Sequence, residues 1–252
     1  MNTKQTTTII VLLFLVSAAS GFAQQNNDEL KQRVLAQAQS ASADDYAFTR
    51  TVRSDETSLG GKTEKKVRVE KFDPSKPAGE RWTLVSVDGA PPSAEVLNRF
   101  RKEAAKRRVV PGYHRIANYF GAPATASTDS RGRTLFRFAA LPKGSVTALD
   151  SDVSHNSTAE ASISEANGVA FAEQVRITVK PMRLKLIMKL DRFDSSSRYR
   201  IGPEGIPLLM EQTSDLAGSG MGMEGKVHTE VTYSDYRLVG NNDDSSHISL
   251  GR

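Results

Sequence analysis

The chain has 252 residues, 34 Lys and Arg against 29 Asp and Glu, a formal charge of +5 and no cysteine. The missing cysteine excludes disulfides, thiolate zinc sites, cysteine nucleophiles and a lipid-modified cysteine behind a leader. A positive excess this small does not call for nucleic acid. Anionic lipid headgroups or an acidic protein partner suit it better, and the length suffices for a self-supporting core.

The first residues read as an export signal. Lys4 supplies a short positive start, residues 9–16 are an unbroken apolar run, and Gly21 and Ala23 place small side chains three and one before a cut. The run is much shorter than the ~20 residues a spanning helix needs. Cleavage is therefore expected after Ala23, with residues 1–23 as signal peptide and the product in the periplasm. A domain of this size without disulfides fits that compartment.

Residues 28–39 place Leu30, Val34, Leu35 and Ala38 at helical spacing, with Asp28 and Glu29 at the positive end of the helix dipole. Beyond Asp44 and Asp45, Tyr46, Phe48, Arg50 and Val52 alternate with Ala47, Thr49, Thr51 and Arg53, which is the period of a strand. A turn over 58–61 and the alternation of Val67 and Val69 with Lys66, Arg68 and Glu70 predict a hairpin with one wet face. Residues 81–87 predict another strand, which Pro91 and Pro92 cannot continue.

Ser93 then caps a helix reaching to about residue 108. Its apolar face is Val96, Leu97, Phe100 and Ala104, and Arg99, Arg101, Lys102, Lys106, Arg107 and Arg108 make a basic surface around the rest. Such a run is either a solvated face or a contact for phosphate headgroups or an acidic envelope partner. Residues 113–120 fit a short helix or an edge strand equally.

From residue 133 the pattern is strand. Thr134, Phe136, Phe138 and Ala140 share one face, as do Val175, Ile177 and Val179. Met182, Leu184, Leu186, Met188 and Leu190 alternate with mostly charged neighbours in the clearest period-two segment of the chain, predicting one strand with one apolar face. Further strands are expected over 198–201, 206–212 and 226–239, broken by Gly, Pro, Ser and Asp. The fold class is α+β, a strongly curved antiparallel sheet forming an incomplete β-barrel with covering helices. One domain spans 24–240, and 241–252 is a polar tail.

Catalytic and metal motifs do not assemble. His114, His155, His228 and His247 lie far apart and match no ligand spacing, and Asp150, Asp152, Asp243 and Asp244 match no calcium loop. Gly220, Gly222 and Gly225 have the spacing of a dinucleotide fingerprint, but the alternating strand that follows offers no helix N-terminus for a pyrophosphate. Gly218-Ser219-Gly220 lacks the outer glycines of a nucleophile elbow. No cofactor and no enzymatic activity are expected. What remains is the apolar strand face: Phe136, Phe138, Leu208 and Met210 together with Met182, Leu184, Leu186, Met188 and Leu190. It is either filled core or the lining of a cavity in which flexible Met and Leu mould around an acyl chain.

The post-signal helix over 28–39, the strand around Tyr46-Ala47-Phe48-Thr49, the run over 184–191 and a closing strand over 232–237 together resemble the periplasmic outer-membrane lipoprotein carrier family, the LolA-like proteins. That resemblance implies an incomplete antiparallel barrel closed by helices over a lipid-binding cavity. It implies a monomeric, non-catalytic carrier whose partner is a lipid acyl chain or a lipoprotein. The 81–108 segment departs from the family pattern, which leaves open a protein-binding sensor or adaptor on the same fold, with a hydrolase as a third reading.

Overall fold

The computed structural model describes residues 25–239 except 43, 59, 106–109, 186–187 and 221–222. Residues 1–23, expected to be a signal peptide, and 241–252, expected to be a polar tail, lie outside the described residues, as do Leu186, Lys106, Arg107 and Arg108. Among the described residues no helix is long and apolar enough to cross a membrane.

Thirteen strands and three α-helices make up the described chain. In order they are helix α1 over 25–40, strands β1 (Tyr46–Thr57), β2 (Thr63–Phe72) and β3 (Trp82–Val87), helix α2 (Ala94–Ala104), a 3-10 turn (Tyr113–Ile116) running into α3 (Ala117–Phe120), then β4 (Thr125–Thr128) and β5 (Thr134–Phe138). A small ribbon of β6 (Thr147–Ala148) and β7 (Ser151–Asp152) precedes β8 (Ser157–Ala166), β9 (Val169–Val179), β10 (Met182–Lys185), β11 (Met188–Ile201), β12 (Pro207–Gly220) and β13 (Met223–Leu238). Eleven strands form one sheet in the order β3-β2-β1-β13-β12-β11-β9-β8-β5-β4, with β10 beside β11. All pairings are antiparallel, and the edges β3 and β4 do not meet, so the barrel stays open.

Chemistry at the helix ends follows the expected pattern. Ser93 Oγ accepts from Val96 N at 3.3 Å, Phe100 and Ala104 are buried, and α2 leans on β3. Helix α1 buries Val34 and Ala38 completely and is pinned across one end of the sheet. Lys31 Nζ donates to Ala122 O at 2.5 Å, Arg33 pairs with Glu165 at 2.8 Å, and Gln37 reaches Gly205 O. The ambiguous 113–120 segment is helical and drives Tyr113, Ile116, Tyr119 and Phe120 into the core.

Three local departures from simple alternation decide which side chains face inward. Residues 182–190 are not one strand: β10 and β11 fold back on each other, so Met182 pairs with Leu190 and Lys185 with Met188. The Asp- and Ser-rich stretch 191–197, read as a break, is the middle of β11, and the Gly-rich end of β12 is strand to Gly220. Gly218 suits the close pairing there, because a Cβ would stand a tight 3.0 Å from Lys189 O on β11. Bulges then shift parity. Met210 is the extra residue where β12 slips against β11 between Arg198 and Tyr199, and it hands the inward position to Leu209. On β13, Asp235 takes the left-handed φ of 53°, which an Asp tolerates, so Tyr233 and Tyr236 both reach Phe48, with ring centroids 5.6 Å away in each case.

Candidate functional site

The inner face of the central strands carries a sequence of rows that can be followed across the ladder. Val52, Val231, Gln212, Ser197 and Val175 are consecutive cross-strand partners on β1, β13, β12, β11 and β9. The next row is Ser54, Thr229, Ser214, Ser195 and Ile177, and the one after it is Glu56, Val227, Leu216, Phe193 and Val179. A belt of small hydroxyl side chains and one amide thus lies between two apolar zones.

A cleft of about 320 Å³ opens over the first two of these rows and reaches Phe193 of the third. Its floor includes Ser195, Ser197, Gln212 and Tyr233, and its roof is the helical 113–120 segment with Ser145, Val146 and Thr147. A second hollow of about 320 Å³ lies further along the same strands, lined by Met188, Leu149, Leu216 and Val227 with glycine backbone of β12 and β13. The two meet at one row: Phe193 borders the first, and its partner Leu216 borders the second. Ligand sites commonly measure ~300–1,000 Å³, so both hollows fall at the lower end of that range.

Two arginines face the first cleft, and their circumstances differ. Arg50, from β1, gives Nε and Nη2 to Glu70 Oε2 at 3.0 and 2.6 Å, and its guanidinium sits 4.1 Å from the centroid of the Trp82 ring. Glu70 is fully buried and also has Arg68 Nε 3.6 Å from its other oxygen, so this cluster is an internal clamp between β1 and β2. Arg115, on the roof, donates to Ser145 O at 3.5 Å, and among the described residues it makes no ion pair. Its charge is open to the cleft.

The tyrosines around the cleft remain neutral. Burial is the largest cause in each case and pushes Tyr233 up to about 12, raises Tyr113 and Tyr199 further, and raises Tyr119 against the opposing Arg115. They are hydrogen-bonding groups rather than acids: Tyr113 Oη accepts from Ala172 N at 2.8 Å and its ring stands edge-on to Tyr199 at 5.2 Å. Among the described residues no three His, Asp or Glu side chains converge as metal ligands would.

None of the eight described residues expected to line a cavity borders this first cleft, and the ninth, Leu186, lies outside the described residues. Phe136 and Phe138 are filled core, packed against Phe120 with centroids 5.9 and 5.0 Å away. Leu190 is fully buried, and Leu208 is buried beside Gly202, where a Cβ would come within 2.7 Å of its Cδ1. Met182 and Leu184 lean half-buried on the core, Met210 is the half-exposed bulge residue, and Met188 borders the second hollow. Of the basic surface, Arg101 and Lys102 are exposed and Arg99 pairs with Glu95 at 2.9 Å. Arg115 and the Ser195, Ser197 and Gln212 floor were missed. Polar residues inside a sheet give no apolar signal, and the only clue was Phe193, Ser195, Ser197 and Tyr199 keeping period two through a stretch that looks like a turn.

The fold and cleft together define an open, incompletely closed antiparallel barrel with helices in its hollow. No protein-family profile matches the chain, and no curated protein matches it. Two solved structures are similar in fold. One is a LolA superfamily protein from Nitrosomonas europaea, with a TM-score of 0.37 and 10% identity over 85% of this chain and 94% of that one. The other is a DUF1329 family protein from Desulfovibrio piger, with a TM-score of 0.36 and 11% identity over 87% of this chain and 95% of that one.

Proposed function

We propose that this protein is an exported, non-catalytic periplasmic carrier that shelters a lipid or lipoprotein acyl chain in the cell envelope, matured by cleavage after Ala23. The observation that carries this reading is the pair of hollows on one set of strands, with the cross-strand partners Phe193 and Leu216 bordering one hollow each. From the Arg50–Tyr233 pair to Val227 is six residues along β13, or ~20 Å at the rise of a strand, a length suited to an extended acyl chain. An open edge between β3 and β4 leaves the sheet free to widen, as a carrier that loads and releases must.

Native mass spectrometry of the protein purified from its own envelope tests this. The expected spectrum carries a mass increment that organic extraction removes and that tandem analysis resolves as an acyl-bearing species, on a chain beginning at Gln24. A ligand-free protein that also fails to take up acyl probes would favour a protein-binding adaptor on the same fold. A chain still holding residues 1–23 would defeat the assignment to the periplasm.

A further inference from the structure

The two hollows differ in chemistry, and the difference gives the site a direction. At one end Arg115 presents a guanidinium without an ion-pair partner among the described residues, close to the hydroxyl-lined floor of Ser195 and Ser197 and the amide of Gln212. At the other end Leu216, Val227, Met188 and Leu149 offer an apolar lining. Arg50 does not compete for a ligand anion, because Glu70 already holds its charge. An unpaired guanidinium in a partly enclosed cleft favours an anion, and its fork of donors suits the oxygens of a carboxylate or phosphate.

Resting on the carrier reading above, we infer that the occupant is an anionic single-chain amphiphile. Its carboxylate or phosphate is held by Arg115, with hydrogen bonds from the floor, and its tail runs past Phe193 and Leu216 toward Met188. Arg115 is then the residue that selects for a charged head. A neutral head of the same chain length would bury the same apolar surface and lose only the charge-assisted bonds.

The test is calorimetric titration of the mature chain with hexadecanoate, hexadecyl phosphate and hexadecanol below their aggregation limits, with acetate and inorganic phosphate as headgroup controls. Wild type is expected to bind both anionic amphiphiles at least about tenfold more tightly than the alcohol, the worth of one charge-assisted hydrogen bond. Arg115→Gln should bring the anions down to the alcohol and leave the alcohol unchanged, and Arg115→Lys should keep most of the preference. Melting curves check each variant, and the wild-type comparison of three heads on one tail stands by itself if a variant unfolds. Equal binding of all three by wild type overturns the assignment of an anionic head, and so does an Arg115→Gln variant weakened equally toward all three. Acetate or phosphate binding as tightly as the long chains would make this a free-anion site and overturn the amphiphile. Failure of every long chain to bind would instead sink the carrier reading itself.

Discussion

The flank of the sheet around β5 and β8 and its centre over β11, β12 and β13 are built from the same kind of antiparallel ladder, yet one is solid and the other hollow. On the flank, Phe136 and Phe138 rise from β5 beside the fully buried Ala159 and Ala161 of β8, and Phe120 descends from α3 into the gap. In the centre the equivalent inward positions carry Ser195, Ser197, Gln212, Ser214 and Thr229, all partly exposed. Burying such groups without partners is costly, so a floor of hydroxyls keeps its water or takes a ligand. The cavity is thus specified by the side chains on the floor rather than by the path of the backbone.

The largest effect should come from emptying the solid flank. Phe120→Ala removes a fully buried ring that two others contact and is expected to cost about 3–5 kcal/mol. Leu216→Ala, at a half-exposed site already facing open space, should cost less than about 2 kcal/mol. Equal losses in chemical denaturation would erase the distinction between the two regions. Breaking the clamp comes close behind: Arg50→Met takes two charge-assisted hydrogen bonds, at 3.0 and 2.6 Å, from the buried Glu70 carboxylate, and a loss of about 3 kcal/mol is expected in the same assay.

A smaller effect should appear with pH. Burial, helped by neighbouring Arg115, holds the His114 imidazole on the roof below its ordinary 6.5, against a weaker pull from Asp45 and Asp44, and its buried Nδ1 has no hydrogen-bond partner among the described residues. A folded-state value below the unfolded one means stability that is full above about pH 6.5 and is lost as pH falls through the folded value. His228 works the other way. Hydrogen bonds that its ring donates to Asp215 and then to Glu230 raise it, so its contribution is full below about 6.5 and fades as pH rises through the folded value; its exposure keeps that contribution small. Melting temperature on the acid side should therefore fall less in His114→Gln than in wild type, and His228→Gln should not reproduce that protection. An acid-side slope unchanged in His114→Gln would remove the roof as its source.

The smallest change in stability is expected on the outside of the molecule. Reversing the exposed Arg101 and Lys102 to Glu should move stability by no more than about 0.5 kcal/mol. Flotation with anionic vesicles at low salt should nonetheless weaken if α2 meets a charged surface, and the difference should shrink as salt is added. Vesicle binding identical to wild type at low salt would leave this face merely solvated.

How far the sequence disclosed this arrangement depends on which face a residue serves. The open antiparallel sheet, α1, the Ser93-capped helix and the strand of Phe48, Arg50 and Val52 were legible, because apolar periodicity and caps are local signals. Three things hid the cleft. The alternation over 182–190 was real, but it belongs to a hairpin, since period two does not reveal where a strand folds back. Met210 was placed on the apolar face because the bulge that displaces it depends on β11, which lies elsewhere in the sequence. Ser195, Ser197 and Arg115 were passed over because a polar residue in a turn-like stretch looks the same whether it meets solvent or a cavity floor.

The central claim, that the hollow over β11, β12 and β13 is a binding space, is tested most directly by filling it. Leu216→Trp places a large ring at the row where the two hollows meet, and binding of a fluorescent fatty-acyl probe and thermal melting can be measured on the same preparation. The expected result is a melting temperature close to that of wild type with binding reduced at least tenfold, because the ring occupies space already present. A Leu216→Trp protein that keeps its fold and binds the probe as wild type does would contradict the claim.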